Sequence, residues 1–359
     1  MNQQLWKTLT HAKLVSGEIP LEREPESPWY VKILLAFSGW LSASFLLGFF
    51  FTLFSHLYKN IPLSLGIGST LIVSAFFLLK MKSNEFIEHL ALALSLAGQI
   101  LILIGVDRYF HANDSAVIWL IVASIQLILT FIMPNTVHRI ASSFTAGIGF
   151  AAALFYYQGN LNLPILYSAG LMLITAWLWL NEFNYPKHIE KIRAIAYGLV
   201  LALITLNVTK IFTPYNIFGV RYTESTSLAW FQPWMGEVLF SAVTLYVVWA
   251  LLKRQQPTIS NQTFTLGLIG TLLLSLLSLQ ASGLIIGVMV ILLGFSASNR
   301  ILIGLGVLSL LFFISHYYYA LNNTLMDKAI TLFILGSALL SARWVLHKRN
   351  TGINTGEIQ

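Results

Sequence analysis

The fold is decided by two apolar runs near the C-terminal end, within Asn299–Trp344, which reads NRILIGLGVLSLLFFISHYYYALNNTLMDKAITLFILGSALLSARW. The first run extends from Ile301 to Ile314 and the second from Ala329 to Leu340. The polar and aromatic linker between them is too short to fold as a soluble domain. Two uncharged apolar runs joined in this way predict a helical hairpin in a membrane, with the linker at the membrane surface.

The composition extends this prediction to the whole chain. Of its 359 residues, 57% are hydrophobic and 10% are charged, whereas soluble domains carry about 25% charged residues. Such a chain cannot enclose its apolar surface in a water-soluble core. The absence of cysteine excludes disulfides, thiolate catalysis and metal sites that need cysteine ligands.

Apolar runs of about 20 residues, the length that crosses the hydrocarbon layer, recur along the chain. We predict an all-α fold, a polytopic transmembrane helical bundle of about twelve spans within residues 34–346. The predicted spans are Leu34–Leu57, Ile61–Leu79, Ile87–Val106, Ala116–Met133, Ile140–Tyr156, Leu163–Leu180, Ala194–Ile211, Met235–Leu252, Phe264–Leu279, Gly283–Ser296, Ile301–Tyr318 and Ala329–Val345. Residues 1–33 form a cytoplasmic segment with an amphipathic helix, and residues 347–359 a cytoplasmic tail.

The stretch Phe264–Ser296 contains no charge and would be about 50 Å long as one helix, so we divide it between Gln280 and Gly283. Short helices with glycines at their junction are found at the binding sites of transporters. Glycines at this spacing also allow two helices to pack closely. We favour the packing interpretation, and the transport interpretation stays open.

The distribution of charge predicts the orientation. With the N-terminus inside, 16 of the 21 Lys and Arg residues fall in cytoplasmic segments and five on the outer side. This bias predicts that both termini and the Asn181–Arg193 loop are cytoplasmic. The net charge of +7 then lies on the cytoplasmic side, where orientation and anionic lipid explain it. We therefore expect the lipid bilayer, and no nucleic acid, as a partner.

The chain lacks the common catalytic signatures GxSxG, HExxH, GxxxxGK[ST] and GxGxxG after a strand. The sequence therefore predicts no catalytic residue, no cofactor and no metal site, and favours a non-enzymatic protein. His56, His111 and His316 fall near predicted helix ends on the outer side together with the three aspartates. Such groups can bind a metal or relay protons, but we interpret them as ordinary interfacial residues.

The candidate contact site is the polar end of the C-terminal hairpin. Its residues are His316, Tyr317, Tyr318, Tyr319, Thr324, Asp327 and Lys328. Thr324 and Asp327 have the spacing of a capping box at the start of the last span. Three successive tyrosines lie about 100° apart around a helix, so they cannot all face the headgroups in the same way. We predict that this end contacts another helix or a partner protein.

Glu237 is the second candidate polar site. It stands near the start of the span Met235–Leu252 and is the most plausible buried acid of the chain. We expect it at the level of the lipid headgroups. An ionisable group at this depth is costly to retain, so it also supports a functional hypothesis.

Three stretches of the chain carry a family resemblance: LWKTLTHAKLVSGEIP, PWYVKILLAFSGWLSASFLLGFF and the C-terminal pattern quoted above. Together they resemble a group of bacterial inner-membrane proteins that share the domain of unknown function 4401. The resemblance implies a multi-pass protein of the bacterial inner membrane, often encoded beside a membrane partner named for its GDYXXLXY motif. It implies no activity and no catalytic residues.

Three hypotheses about function follow. The first is a non-enzymatic component of a membrane complex, assembled with a partner protein. The alternative is a transporter or lipid-handling carrier, favoured by the number of spans and opposed by the small number of buried charges. An intramembrane enzyme that uses His, Asp and Tyr groups of the outer face is the third.

Overall fold

The structure is a computed structural model that describes residues 60–81, 85–110, 115–159, 161–212, 233–254, 261–279 and 282–320, together with isolated residues outside these ranges. Ten α-helices occupy the described ranges, and no strand is present there. They are α1 (Ile61–Lys80), α2 (Glu85–Tyr109), α3 (Ser115–Ile132), α4 (Thr136–Gln158), α5 (Asn162–Leu180), α6 (Ile189–Phe212), α7 (Pro233–Arg254), α8 (Asn261–Ser278), α9 (Leu284–Ser296) and α10 (Arg300–Ala320). Two 3₁₀ turns, Glu182–Asn184 and Pro186–His188, join α5 to α6.

The lengths of these helices match those of membrane spans. Eight of them, α1 to α7 and α10, are long and apolar enough to cross a membrane, while α8 and α9 contain the shorter apolar helices Phe264–Leu276 and Leu284–Ser296. Large apolar side chains such as Phe77, Phe131 and Leu308 are more than half exposed. Exposed apolar side chains on such helices are expected where lipid surrounds the protein.

The predicted spans can be compared with these helices one by one. Ten of the twelve coincide with α1 to α10, and the all-α fold is confirmed. The first and last predicted spans lie mostly outside the described residues, as do the N-terminal amphipathic helix and residues 347–359. The total of twelve spans and the cytoplasmic location of the termini therefore stay predictions.

The chain forms two compact units. The first comprises Met1–Asn113 with Met133–Asn135, and the second comprises Asp114–Ile132 with Thr136–Gln359. In the first unit, α1 and α2 pack antiparallel. A Cβ on Gly68 would lie 2.7 Å from the carbonyl oxygen of Gly98, and the Ser64 hydroxyl donates to the Leu101 carbonyl at 2.6 Å. Small residues thus let the two backbones approach closely.

The second unit contains a parallel helix pair, α4 and α6. Gly198 on α6 packs against Ser143, and Gly147 on α4 packs against Ala202. From the first contact to the second, the residue numbers rise by one helical turn on both helices. Helices α4 and α6 are therefore parallel. Helix α5, which connects them, therefore runs in the opposite direction. The N-terminal ends of α4 and α6 lie at the same end of the second unit.

The core of the second unit lies among α5, α6, α7 and α9. Met172, Val200, Phe240 and Met289, one from each of these helices, are fully buried. Helix α9 is the most enclosed, because seven of its 13 residues are buried. Interior packing of this kind fixes the helices against one another and positions the polar residues at their ends.

The start and end of α9 are both determined by left-handed backbone. Gly283, immediately before α9, has φ 89° and packs against the Phe313 ring, so any side chain there would be strained and obstructed. At the other end, Ser298 has φ 51°, and the Asn299 N–H donates to the Gly294 carbonyl at 2.8 Å. This is the Schellman termination with serine in the position that glycine usually takes. The interruption predicted between Phe264 and Ser296 is confirmed by the end of α8 at Ser278 and the start of α9 at Leu284.

The glycines of this region serve packing, as the favoured interpretation predicts. Gly287 contacts Leu310 on α10, and Gly267 contacts Leu252 on α7. Gly270, in contrast, has no atom within 4 Å of the Cβ position. The interruption between α8 and α9 also brings polar residues together.

Candidate functional site

The candidate site is built where α6 ends and α7 begins. Lys210 lies in the last turn of α6, and Glu237 lies one turn after Pro233 at the start of α7. A cation near the C-terminal end of a helix and an anion near an N-terminal end are both favoured by the helix dipoles. Lys210 Nζ lies 2.9 Å from Glu237 Oε1, and their side chains are 16% and 4% exposed.

Two serines complete the coordination of the carboxylate. The Ser282 hydroxyl donates to Glu237 Oε1 at 2.6 Å, and the Ser278 hydroxyl donates to Oε2 at 3.1 Å. Lys210 Nζ also donates to Ser282 Oγ at 3.2 Å. Ser278 ends α8 and Ser282 lies in the turn before α9. The carboxylate therefore connects α6, α7, α8 and the turn that begins α9, which we call the Glu237 cluster (Lys210, Glu237, Ser278, Ser282).

A line of hydroxyl groups continues from the Glu237 cluster along α7 and α8. Leu252 contacts Gly267, and Glu237 contacts Ser282, so the two helices are antiparallel. This register places Ser241 level with Ser278 and Thr244 level with Ser275. All four are buried. We call Ser241, Thr244 and Ser275, with Thr271 one turn further, the hydroxyl seam.

The side chains of the seam are not all satisfied. Thr244 donates to the Phe240 carbonyl, Ser275 to that of Thr271, and Thr271 to that of Gly267, each one turn earlier in its own helix. The Ser241 hydroxyl, one turn from Glu237, has no hydrogen-bond partner among the described residues. Every hydroxyl of the seam keeps free acceptor capacity.

The energetics of the Glu237 cluster are finely balanced. Removing two charges from water costs several kcal/mol each in real proteins, and the pair repays this only with good geometry and further hydrogen bonds. Both conditions hold here. The ammonium group also lies 5.9 Å from the centre of the buried Phe240 ring, a favourable cation–π arrangement. The loss of either partner would leave a buried charge without its counter-charge.

Glu237 is buried, with 3% of its surface exposed, and its role as a site residue stays a prediction. Its expected level among the lipid headgroups also stays a prediction. Lys210, Ser278 and Ser282 were not predicted as site residues. Lys210 was assigned only as one of five outer charges. A signal was present, since Lys210 and Glu237 stand at consecutive helix ends and Thr271, Ser275, Ser278 and Ser282 recur at helical spacing.

The tyrosine end of α10 is only partly described. His316, Tyr317 and Tyr318 are half-buried, whereas Tyr319 is 80% exposed. The Tyr318 and Tyr319 rings meet edge to face with centroids 5.6 Å apart. Phe313 contacts Gly283, so this end of α10 lies at the same end of the second unit as the Glu237 cluster. Thr324, Asp327 and Lys328, like His56 and His111, lie outside the described residues.

The opposite end of the second unit carries a second ion pair. Arg193 Nε donates to Glu182 Oε2 at 2.8 Å, and Nη2 donates to Oε1 at 3.3 Å. The Glu182 side chain is fully buried, while the Arg193 side chain is 38% exposed. Arg254, at the end of α7, donates to the Leu180 carbonyl. We call Glu182 and Arg193 the Glu182 clasp.

A third polar contact joins the same end. Asn299, before α10, donates to the Tyr197 hydroxyl and accepts from the N–H groups of Ile301 and Leu302. The charged segments that the positive-inside rule assigns to the cytoplasm, at Asn181–Arg193, Arg254 and Arg300, thus gather at one end of the second unit. Which side of a membrane this end faces stays a prediction.

Within the described ranges, no group of three or more His, Asp or Glu side chains is arranged to hold a metal ion. The Glu237 cluster offers a different set of ligands, namely two carboxylate oxygens and two serine hydroxyls. Oxygen ligands of this kind suit small hard cations. In the structure, the Lys210 ammonium contacts two of these four oxygens, Glu237 Oε1 and Ser282 Oγ.

The comparisons with known proteins identify a family but bring no activity. Neither a curated protein nor a solved structure matches the chain. The family model described as "Domain of unknown function (DUF4401)" matches residues 28–349, which include all ten described helices. The chain therefore belongs to the DUF4401 family.

Proposed function

We propose that the protein is a non-enzymatic carrier of the bacterial inner membrane that moves a small cation, protons included, with Glu237 as the binding carboxylate. The observation that carries this proposal is the buried Lys210–Glu237 pair at the interruption between α8 and α9. An ionisable pair among apolar helices is expensive to maintain and is a functional-site hypothesis by default. Interrupted helices in carriers expose backbone and polar groups at the substrate position.

In this proposal, the Lys210 ammonium occupies the place of the transported cation. It contacts Glu237 Oε1 and Ser282 Oγ at 2.9 and 3.2 Å, the oxygens that a small cation would also need. An arriving cation competes with the ammonium for these oxygens, and an arriving proton converts the carboxylate to a neutral acid. Either event weakens the Lys210–Glu237 attraction.

A weaker Lys210–Glu237 attraction allows the helices to shift, because the Glu237 carboxylate on α7 contacts α6, α8 and the turn before α9. Loss of the ion pair removes the polar contact that joins α6 to the α8–α9 junction. The left-handed Gly283 next to Ser282 is a natural hinge, since glycine adopts other φ values at low cost. The hydroxyl seam extends the polar lining from the Glu237 cluster along α7 and α8 and supports a route for the cation.

Flux across a vesicle membrane tests the proposal. The full chain is reconstituted in liposomes that contain a dye sensitive to H⁺, Na⁺ or K⁺, and a gradient of the matching cation is imposed in each case. We expect the wild-type protein to dissipate at least one gradient and Glu237→Gln to abolish the flux. The control is Glu182→Gln, a buried carboxylate at the other end, which should retain flux once its lower yield is corrected.

Two results would overturn the carrier. One is wild-type vesicles that are no faster than empty vesicles for all three cations. The other is a folded Glu237→Gln protein that transports at the wild-type rate. Either would reduce the Glu237 cluster to a structural contact between helix ends.

A second candidate function is membership in a membrane complex, and the exposure of Tyr319 at the end of α10 is the observation that favours it.

 Tyr319 is 80% exposed. It lies at a helix end, and exposed aromatic residues often anchor a contact with another protein. The partner that fits is another membrane protein, such as one of the GDYXXLXY type that the resemblance implies. Purification of the tagged full chain in mild detergent tests this. A stoichiometric membrane partner that is lost in Tyr319→Ala and kept in Tyr157→Ala, an equally exposed tyrosine on α4, would support it, and purification of the chain alone would oppose it.

A further inference from the structure

A cleft of about 240 Å³ opens where α5 ends and α6 begins, at the same end of the second unit as the Glu182 clasp. Its lining residues are Trp177, Leu178, Asn181, Tyr185, His188 and Ile192. This site is separate from the Glu237 cluster, and nothing in the cation-carrier proposal depends on it.

The lining has two kinds of chemistry. The surface of the cleft is almost wholly apolar, with Leu178 and Ile192 on its wall, and Asn181 and His188 are the two residues with strongly polar side chains that border it. Trp177 and Tyr185 are about half exposed, and such amphipathic rings are enriched at the level of the lipid headgroups. A ligand that fits this lining has an apolar chain and a polar head.

The charges around the cleft favour an anionic head. Lys187 and Lys191 are exposed and lie within one turn of His188. Arg254 Nη2 donates to the Asn181 side chain at 3.5 Å, which holds a third cation close to the cleft. Of the two nearby acids, Glu182 is neutralised by Arg193, and only Glu190 is exposed. Positive charge therefore exceeds negative charge here.

We propose that this cleft binds an anionic phospholipid. The phosphate lies against His188 within reach of Lys191, and one acyl chain lies along Leu178 and Ile192. A soluble anion would use the positive charge but not the apolar wall, and a zwitterionic lipid would use the wall but not the charge. Only an anionic amphiphile uses both.

Quenching of tryptophan fluorescence by brominated acyl chains tests the proposal, because Trp177 lines the cleft. The full chain is reconstituted in phosphatidylcholine vesicles that contain a small, equal fraction of brominated phosphatidylglycerol or brominated phosphatidylcholine. The difference between wild type and Trp177→Phe isolates the signal of Trp177. We expect phosphatidylglycerol to quench this signal at a several-fold lower mole fraction than phosphatidylcholine.

Variants separate a specific site from general attraction to a charged surface. Each lysine near a lipid surface changes anionic-lipid binding by about fivefold, so Lys191→Gln should reduce the preference by about that factor. Ile192→Phe narrows the cleft without changing charge and should also reduce the preference. Lys80→Gln, which removes an exposed lysine at the end of α1, should leave it unchanged.

Three outcomes would overturn the inference. Equal quenching by the two lipids would show that the cleft does not distinguish the headgroup. An equal loss of preference in Lys80→Gln and Lys191→Gln would show general surface attraction. An unchanged preference in Ile192→Phe would show that no acyl chain occupies the cleft.

Discussion

The two ends of the second unit each bury a carboxylate beside a cation, at nearly equal distances of 2.9 Å for Lys210–Glu237 and 2.8 Å for Arg193–Glu182. They differ in what the pair connects. The Glu182 clasp joins residues 11 positions apart across one short connection, and its arginine reaches solvent. The Glu237 cluster joins residues up to 72 positions apart, and both of its charged side chains are enclosed. The Glu182 clasp therefore fixes the connection between α5 and α6. The Glu237 cluster joins α6, α7, α8 and the turn before α9.

The largest effect should follow from Lys210→Met, because Glu237 would remain buried without its cation. Breaking a buried pair in this way costs about 3–5 kcal/mol. We expect a large drop in the thermal unfolding temperature of the detergent-purified protein. Adding Glu237→Gln to Lys210→Met should restore most of the stability, since no uncompensated charge remains. A single variant as stable as the double variant would contradict the account of the cluster.

A smaller loss should follow from Arg193→Met at the opposite end. Glu182 would lose two charge-assisted hydrogen bonds, but water can reach the site along the path of the exposed arginine. The expected cost is about 1–3 kcal/mol, again measured by thermal unfolding. If Arg193→Met destabilised the protein more than Lys210→Met, exposure would not be what distinguishes the two ends.

Asn299 allows the clasp end to be dissected further. Asn299→Ala removes the acceptor for two N–H groups at the start of α10 and should cost about 1 kcal/mol. Asn299→Asp keeps that acceptor and removes only the donor to Tyr197. We therefore expect Asn299→Asp to be the more stable of the two in thermal unfolding, and the reverse order would assign the main role to the Tyr197 contact.

The smallest effect should come from Ser241→Ala in the hydroxyl seam. Its buried hydroxyl has no partner in the described part of the chain, so the unfolding free energy should change by no more than about 0.5 kcal/mol. Ser278→Ala removes a hydrogen bond to a carboxylate and should cost about 1.5–3 kcal/mol. Equal losses in the two variants would show that Ser241 is as well bonded as Ser278.

The sequence predicted the helices better than the sites because apolar runs are local signals. Ten runs became ten described helices, and even the uncharged stretch Phe264–Ser296 divides where its length required. The Glu237 cluster depends on contacts across 27 to 72 residues, which no local pattern specifies. Glu182 was not recognised as a paired residue for a related reason, since no local pattern shows that Arg193 lies beside it.

The short helix α9 has a consequence for the biosynthesis of the chain. At about 1.5 Å per residue, its 13 residues extend only about 20 Å, less than the hydrocarbon thickness of about 30 Å. Such a segment is poorly suited to leave the translocation machinery and enter lipid alone. Helices α5, α6 and α7, which surround it in the folded protein, are synthesised earlier, and α10 follows directly. We therefore expect α9 to enter the membrane late, against protein that is already in place, so that its insertion completes the Glu237 cluster.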